Sequence, residues 1–172
     1  MTYKVKIAVD AMGGEDAPKK IIKGIDISLK QDNKNYFYLF GNKDLIGKEI
    51  KNNKLIKDNS EIVDTKEVIL DNEGPLTAAK KGKESSMWKA IESLKNKKTD
   101  IALSAGNTGA MLVLSRLLLN TIEGINKPAL AGLWPSKNNM SIVLDLGANI
   151  VCDEKNLCDF AFMGAALFKS LF

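Results

Sequence analysis

Histidine is absent from all 172 residues. Without an imidazole, the chain can build no Ser-His-Asp triad, no Cys-His pair and no imidazole general base of its own. Cysteine is scarce: there are 2, Cys152 and Cys158, with no third thiol beside them. That makes neither a zinc pattern nor a disulfide framework, and it fits a reducing compartment. Nothing nearby in sequence would activate either thiol, so both are expected to be packing residues. No run reaches the roughly 18 apolar residues that a membrane span requires. The apolar stretch in MTYKVKIAVDAMGG is too short for a signal peptide. The chain is therefore expected in the cytoplasm. The nucleotide signatures are missing as well. There is no G-x-x-x-x-G-K-[ST] and no G-x-G-x-x-G; GGEDAP after the first apolar run is neither. A nucleotide or dinucleotide ligand is disfavoured.

What is present is an ordinary globular composition, 45% hydrophobic and 27% charged, in a chain long enough for one well-cored domain of about 100–200 residues. The net charge is +4, from 25 basic and 21 acidic residues. The densest basic runs, KKGKE and KNKK, have no interleaved aromatics and read as solvated helix faces, with no nucleic acid as partner.

Apolar periodicity alternates between two types. Strands are predicted at 3–9, 36–41, 61–65, 100–105, 128–135 and 140–149. Helices are predicted over 18–31, 43–51, 74–98 (broken near Gly82, with Ser85 or Ser86 capping the second part), 107–120 and 154–172. Asp16 is the expected N-cap of the first helix, with Pro18 in its first turn. Strands separated by helices imply parallel βαβ units: an α/β fold with a mostly parallel sheet in three α/β/α layers. The sequence stops within the apolar phase of its last helix, with no C-cap signal, and a fragment of a longer protein is expected.

Three strand ends carry small and polar clusters: AVDAMGG (8–14), LSAGNTGA (103–110) and LDLGAN (144–149). In open α/β sheets ligands bind outside the carboxyl ends of the strands, and parallel strands would bring all three clusters to one edge. SAGNTGA is the most specific. Gly106 and Gly109 allow close backbone approach, and the helix behind them offers free N–H groups and the positive end of its dipole to an anion. Ser104, Asn107 and Thr108 add side-chain donors. The alternative is a plain capping turn. Asp10 and Asp145 end strands and read either as ligand-positioning or basic groups, or as caps. Lys83, before ESSMW, reads either as a surface lysine or as one reaching an anion.

The stretches KIAVDAMGGEDAP (6–18), GPLTAAKKGKESSMWKAI (74–91), ALSAGNTGAM (102–111), GINKPALAGLWP (124–135) and SIVLDLGANIVCDEKNLCDFAFMGAAL (141–167) occur in one order along the chain. Together they resemble the N-terminal half of the bacterial phosphate acyltransferase family (PlsX; acyl-ACP:phosphate transacylases) of phospholipid synthesis. Residues 1–172 would be the N-terminal part of that domain, with the C-terminal half absent. The resemblance implies an isocitrate/isopropylmalate-dehydrogenase-like α/β/α fold, a homodimer, and no metal or nucleotide cofactor. It implies transfer of a fatty acyl group from acyl carrier protein to inorganic phosphate, the acyl phosphate passing to a downstream membrane acyltransferase. It also implies a cytoplasmic protein that touches the inner membrane through the missing half.

On that reading Asp10 and Asn107 are the expected catalytic residues. Gly13, Gly14, Ser104, Gly106, Asn107, Thr108, Gly109, Asp145, Gly147 and Asn149 would line the phosphate site, with Lys83 in reach. Asp10, or a group in the missing half, would be the base. The fragment alone is expected to lack activity. Other readings are a phosphotransacetylase-type enzyme using acyl-CoA, a non-catalytic anion-binding module, and, more remotely, a dehydrogenase of related fold.

Overall fold

The computed structural model describes residues 4–172 apart from 75, 76, 78, 79, 81 and 138. Two compact units are present, Met1–Leu119 and Asn120–Phe172.

The first unit holds strands β1 (Lys6–Asp10), β2 (Tyr36–Gly41), β3 (Ser60–Asp64) and β4 (Ile101–Ser104). Its helices are α1 (Lys19–Gln31), α2 (Lys43–Ile50), α3 (Lys54–Asp58), α4 (Ser86–Lys95) and α5 (Thr108–Leu118). All strand pairings are parallel, in the order β3-β2-β1-β4. Side chains alternate faces along a strand, and the register sorts them cleanly. Ile7, Val9, Phe37 and Leu39 share a face and pack with Ile22, Ile25 and Leu29 of α1, Ile46 and Ile50 of α2, and Ile56 of α3. Ala8 and Phe40 face the other way, onto Ala90 of α4. A further cluster joins Met87 and Ile91 of α4 to Ala110 and Leu114 of α5. Burial on both faces explains why β1 and β2 read as nearly continuous apolar runs rather than alternating ones. The result is the expected three-layer α/β/α arrangement. Edge strand β4 is less covered: Ile101 and Leu103 are 44% and 48% exposed.

Local chemistry sets several boundaries differently from the periodicity. Asp16 does not cap α1. It sits at φ 55°, Pro18 holds the N-cap position, and no side chain caps that end. The left-handed backbone leaves the Asp16 carboxylate 3.4 Å from the Lys20 ammonium, while its carbonyl accepts the Lys20 N–H. Helix α3 was not foreseen. Asn53 Oδ1 caps it through the Ile56 N–H, and Asn53 Nδ2 donates to Asp26 of α1 at 2.6 Å. In the predicted helix 74–98, Gly82–Glu84 forms a 3₁₀ turn. Ser85 caps α4 through the Trp88 N–H. Residues 75, 76, 78, 79 and 81 lie outside the described residues.

The second unit holds β5 (Gly132–Pro135), β6 (Met140–Val143) and α6 (Glu154–Leu171). Here the expectation of parallel strands fails. β5 and β6 pair antiparallel, because only residues 136–139 join them and a parallel crossover needs a dozen or more. Residues 128–131 and 144–149 fall outside both strands. Asp153 and Asn156 form a reciprocal capping box at the start of α6. Cys152, ahead of α6, and Cys158, on it, are both exposed rather than packed; α6 turns Asn156, Asp159, Phe160 and Gly164 inward instead. The apolar reading of α6 as core is likewise too broad: Phe162 is 76% exposed.

Leu39 is fully buried at the centre of the sheet. Leu39→Ala is expected to lower stability by about 2–5 kcal/mol in urea titrations, whereas Leu45→Ala, at a position 42% exposed, should stay within about 0.5 kcal/mol of wild type.

Candidate functional site

From β1 the chain builds outward through β2 to β3, then returns to place β4 on the other side of β1. The strand order therefore reverses between β1 and β4, the place where open parallel sheets form a ligand crevice. The loops leaving that point are VDAMGG and SAGNTGA. β1 and β4 are in register with Asp10 opposite Ser104, so the structure brings these two sequence-predicted clusters to one edge of the sheet.

Their contact is specific. The Ser104 hydroxyl donates to Asp10 Oδ2 at 2.7 Å, and Ser104 Oγ accepts the Gly106 N–H at 3.1 Å. Asp10 Oδ1 accepts the Met12 N–H at 3.3 Å. Asp10 is only 2% exposed, and both of these donors are neutral. Glycine is required where the loops meet. A Cβ on Gly13 would lie 2.6 Å from Asp10 Oδ2 and 2.9 Å from both Gly106 N and Ser104 Oγ. Gly14, at φ 90°, would place a Cβ 2.7 Å from the Ala105 carbonyl oxygen.

α5 starts immediately beyond this contact. Asn107 is its N-cap, with Oδ1 accepting the Ala110 N–H at 2.9 Å. Thr108 and Gly109 occupy the first turn, whose N–H groups have no partner within the helix and which carries the positive end of the dipole. Several of the expected donors have partners within the protein. Gly106 N–H and the Ser104 hydroxyl serve the loop itself, and the Asn107 side chain faces protein on both ends. Its Nδ2 points to the carbonyls of Leu70, Asp71 and Glu73. Lys83 is exposed on the 3₁₀ turn. Pattern reading did not find the 70–73 segment, because nothing in DNEG advertises a long-range partner.

In the second unit, Asp145 and Asn149 organise their own loop. Asp145 Oδ1 accepts the Leu130 N–H at 2.8 Å, and Oδ2 accepts the backbone and side-chain N–H groups of Asn149 at 2.7 and 2.9 Å. Asn149 also donates to the Pro128 carbonyl. Gly147 takes φ 78°, the left-handed turn residue between them. Burial alone would raise the Asp145 pKa. The hydrogen bonds from Leu130, Asn149 and Ala148 outweigh it and hold the carboxyl below its ordinary 3.8. Among the described residues, no group of three or more His, Cys, Asp or Glu could hold a metal ion, and no helix is long and apolar enough to cross a membrane.

Fold and loop geometry together define an α/β protein with a mostly parallel sheet, whose two glycine-containing loops meet at the strand-order reversal. Residues 5–172 match the family described as "Fatty acid synthesis protein", and the chain belongs to that family. It is 54% identical over 172 residues to the "Phosphate acyltransferase" of Pelagibacter ubique, covering 100% of this chain and 51% of that protein. Identity to the protein of the same name in Bradyrhizobium diazoefficiens is 43% over 173 residues, covering 100% of this chain and 49% of the relative. For Xanthobacter autotrophicus it is 39%, with the same coverage. The chain spans about half the length of the curated relatives it matches.

Two outcomes are expected from this geometry. Gly13→Ala should cost about 1–3 kcal/mol, because backbone and carboxylate must both shift to admit the methyl; chemical denaturation reads it. The second is acid sensitivity of the second unit. A carboxyl with a depressed folded pKa stabilises fully above its unfolded value, and that contribution is lost as pH falls through the folded one. In a Trp88→Phe background, Trp134 fluorescence should hold steady above pH 3.8 and change below it. Asp145→Asn should flatten that titration.

Proposed function

We propose that this chain supplies the phosphate-binding crevice of a phosphate acyltransferase, which moves a fatty acyl group from the thioester of acyl carrier protein to inorganic phosphate. The observation that carries this reading is the meeting of the 10–14 and 104–110 loops at the strand-order reversal, directly before a helix N-terminus, in a chain whose relatives bear that name.

The chemistry makes modest demands. A phosphate oxygen attacks the thioester carbonyl carbon, a tetrahedral oxyanion forms, and the C–S bond breaks as thiolate leaves. Phosphate is already a nucleophile and thiolate a good leaving group, so no enzyme nucleophile and no imidazole are needed. What is needed is position and fixed dipoles aimed at the developing charge. The N–H groups of Thr108 and Gly109 and the dipole of α5 meet that requirement for the anion. Gly13, Gly14 and Gly106 let backbone approach closely. Asp10, shielded from solvent, acts by holding Ser104 and the turn behind it, not as a base in contact with substrate. Acyl carrier protein is the acyl donor, and acyl phosphate is the product. The protein works as a homodimer in the cytoplasm, peripheral to the inner membrane.

The test joins this chain to the C-terminal half of a full-length relative and measures acyl phosphate from acyl carrier protein and from coenzyme A thioesters. Turnover with the carrier-protein thioester alone is expected. Turnover with the coenzyme A thioester alone would replace the donor. Phosphate binding without either reaction would make the chain an anion-binding module. Ser104→Ala, which removes a donor from the buried Asp10, should lower turnover by roughly 10- to 100-fold with the circular dichroism unchanged; undiminished turnover would sink the crevice assignment.

A further inference from the structure

Both ends of the Asn107 side chain are committed to the protein. Oδ1 caps α5. Nδ2 lies 2.8 Å from the Glu73 carbonyl oxygen, 3.1 Å from that of Asp71 and 3.3 Å from that of Leu70. One NH2 group, with two protons to give, thus gathers three acceptors from a single short stretch. That stretch is a turn closed by the Glu73 N–H on the Leu70 carbonyl at 3.1 Å. Before it stands Ile69, buried in the cluster with Met87, Ile91, Ala110 and Leu114. Residues 70–73 are therefore anchored on one side by apolar packing and on the other by one amide, directly at the start of α5. The turn also carries Asp71 and Glu73.

We propose that Asn107 is a positioning residue whose side-chain amide clamps residues 70–73 as the rim of the α5 anion site, so that phosphate capture depends on a donor directed wholly at the protein's own carbonyls. The inference rests on the phosphate reading above and deepens it. It separates the two ends of one side chain. The acceptor end is replaceable, because Ser and Asp are N-caps comparable to Asn. The donor end is not. Serine is too short to reach three carbonyls, and aspartate would turn acceptor oxygens towards them.

The experiment uses the 172-residue chain as wild type, Asn107→Ser and Asn107→Asp. Hydrogen exchange is followed at the Glu73 amide and along α5, and inorganic phosphate is titrated by ³¹P NMR. In both variants α5 is expected to keep its protection, while the Glu73 amide exchanges roughly tenfold faster or more. Phosphate affinity should fall by a similar factor, including in Asn107→Ser, which adds no charge. Unchanged exchange at Glu73 in both variants overturns the clamp. Weaker phosphate binding in Asn107→Ser with unchanged exchange makes Asn107 a direct ligand and also overturns it. Faster exchange with unaltered affinity overturns the link between rim and capture. A wild-type chain that binds no phosphate, while exchange still rises in Asn107→Ser, overturns the phosphate reading and leaves the clamp standing.

Discussion

The hydrogen bond from Ser104 to Asp10 joins two strands that are adjacent in space and far apart in sequence. It sits where the sheet changes direction of growth, and the surrounding loops are shaped to permit it. Asp10 is buried, and each of its carboxylate oxygens accepts one hydrogen bond, from the Ser104 hydroxyl and from the Met12 N–H. Ser104 is engaged in turn by the Gly106 N–H. Any side chain at Gly13 would enter this chain of contacts. Gly13, Gly14 and Gly106 therefore serve to let two loops interlock directly before the first turn of α5.

A site assembled this way is rich in backbone dipoles and poor in titratable side chains. That suits the proposed transfer, which joins a ready nucleophile to a ready leaving group and asks the protein for position and fixed dipoles. The second unit follows the same economy on its own loop. There Asp145 gathers N–H groups from Leu130 and Asn149 and orders the backbone around Gly147. Asp10, Asp145 and Asn107 share a habit: each polar side chain organises a glycine-containing loop by satisfying its backbone.

Much of the first unit was legible before folding. The apolar runs read at 3–9 and 36–41, the helical spacing of Ile22, Ile25 and Leu29, and a capping serine at 85 or 86, which the structure assigns to Ser85, all follow from local rules that the tertiary structure leaves intact. The misreadings have physical causes. Asp16 looked like a cap, but its backbone turned left-handed. α3 is too short to show periodicity and depends on Asn53 bonding across to α1. The strands at 132–135 and 140–143 carried ordinary strand composition, yet the shortness of their connection, not their residues, made them antiparallel. Cys158 and Phe162 lie on an apolar helix whose inward face is narrower than its composition suggests.

The sequence by itself determined the layers of the fold and the placement of loops at strand ends, and it shows that this chain carries no histidine, P-loop or dinucleotide fingerprint, because these depend on residue type and spacing alone. Only the tertiary structure decided which strand ends meet and which way each polar side chain faces. Strand order is not encoded in any local window, so nothing in SAGNTGA announces that Asp10 is its neighbour. A side chain such as Asn107 can serve a ligand or its own backbone with equal chemistry. The carbonyls of a distant turn lie within 3.3 Å of its amide, partners that no local window of sequence shows.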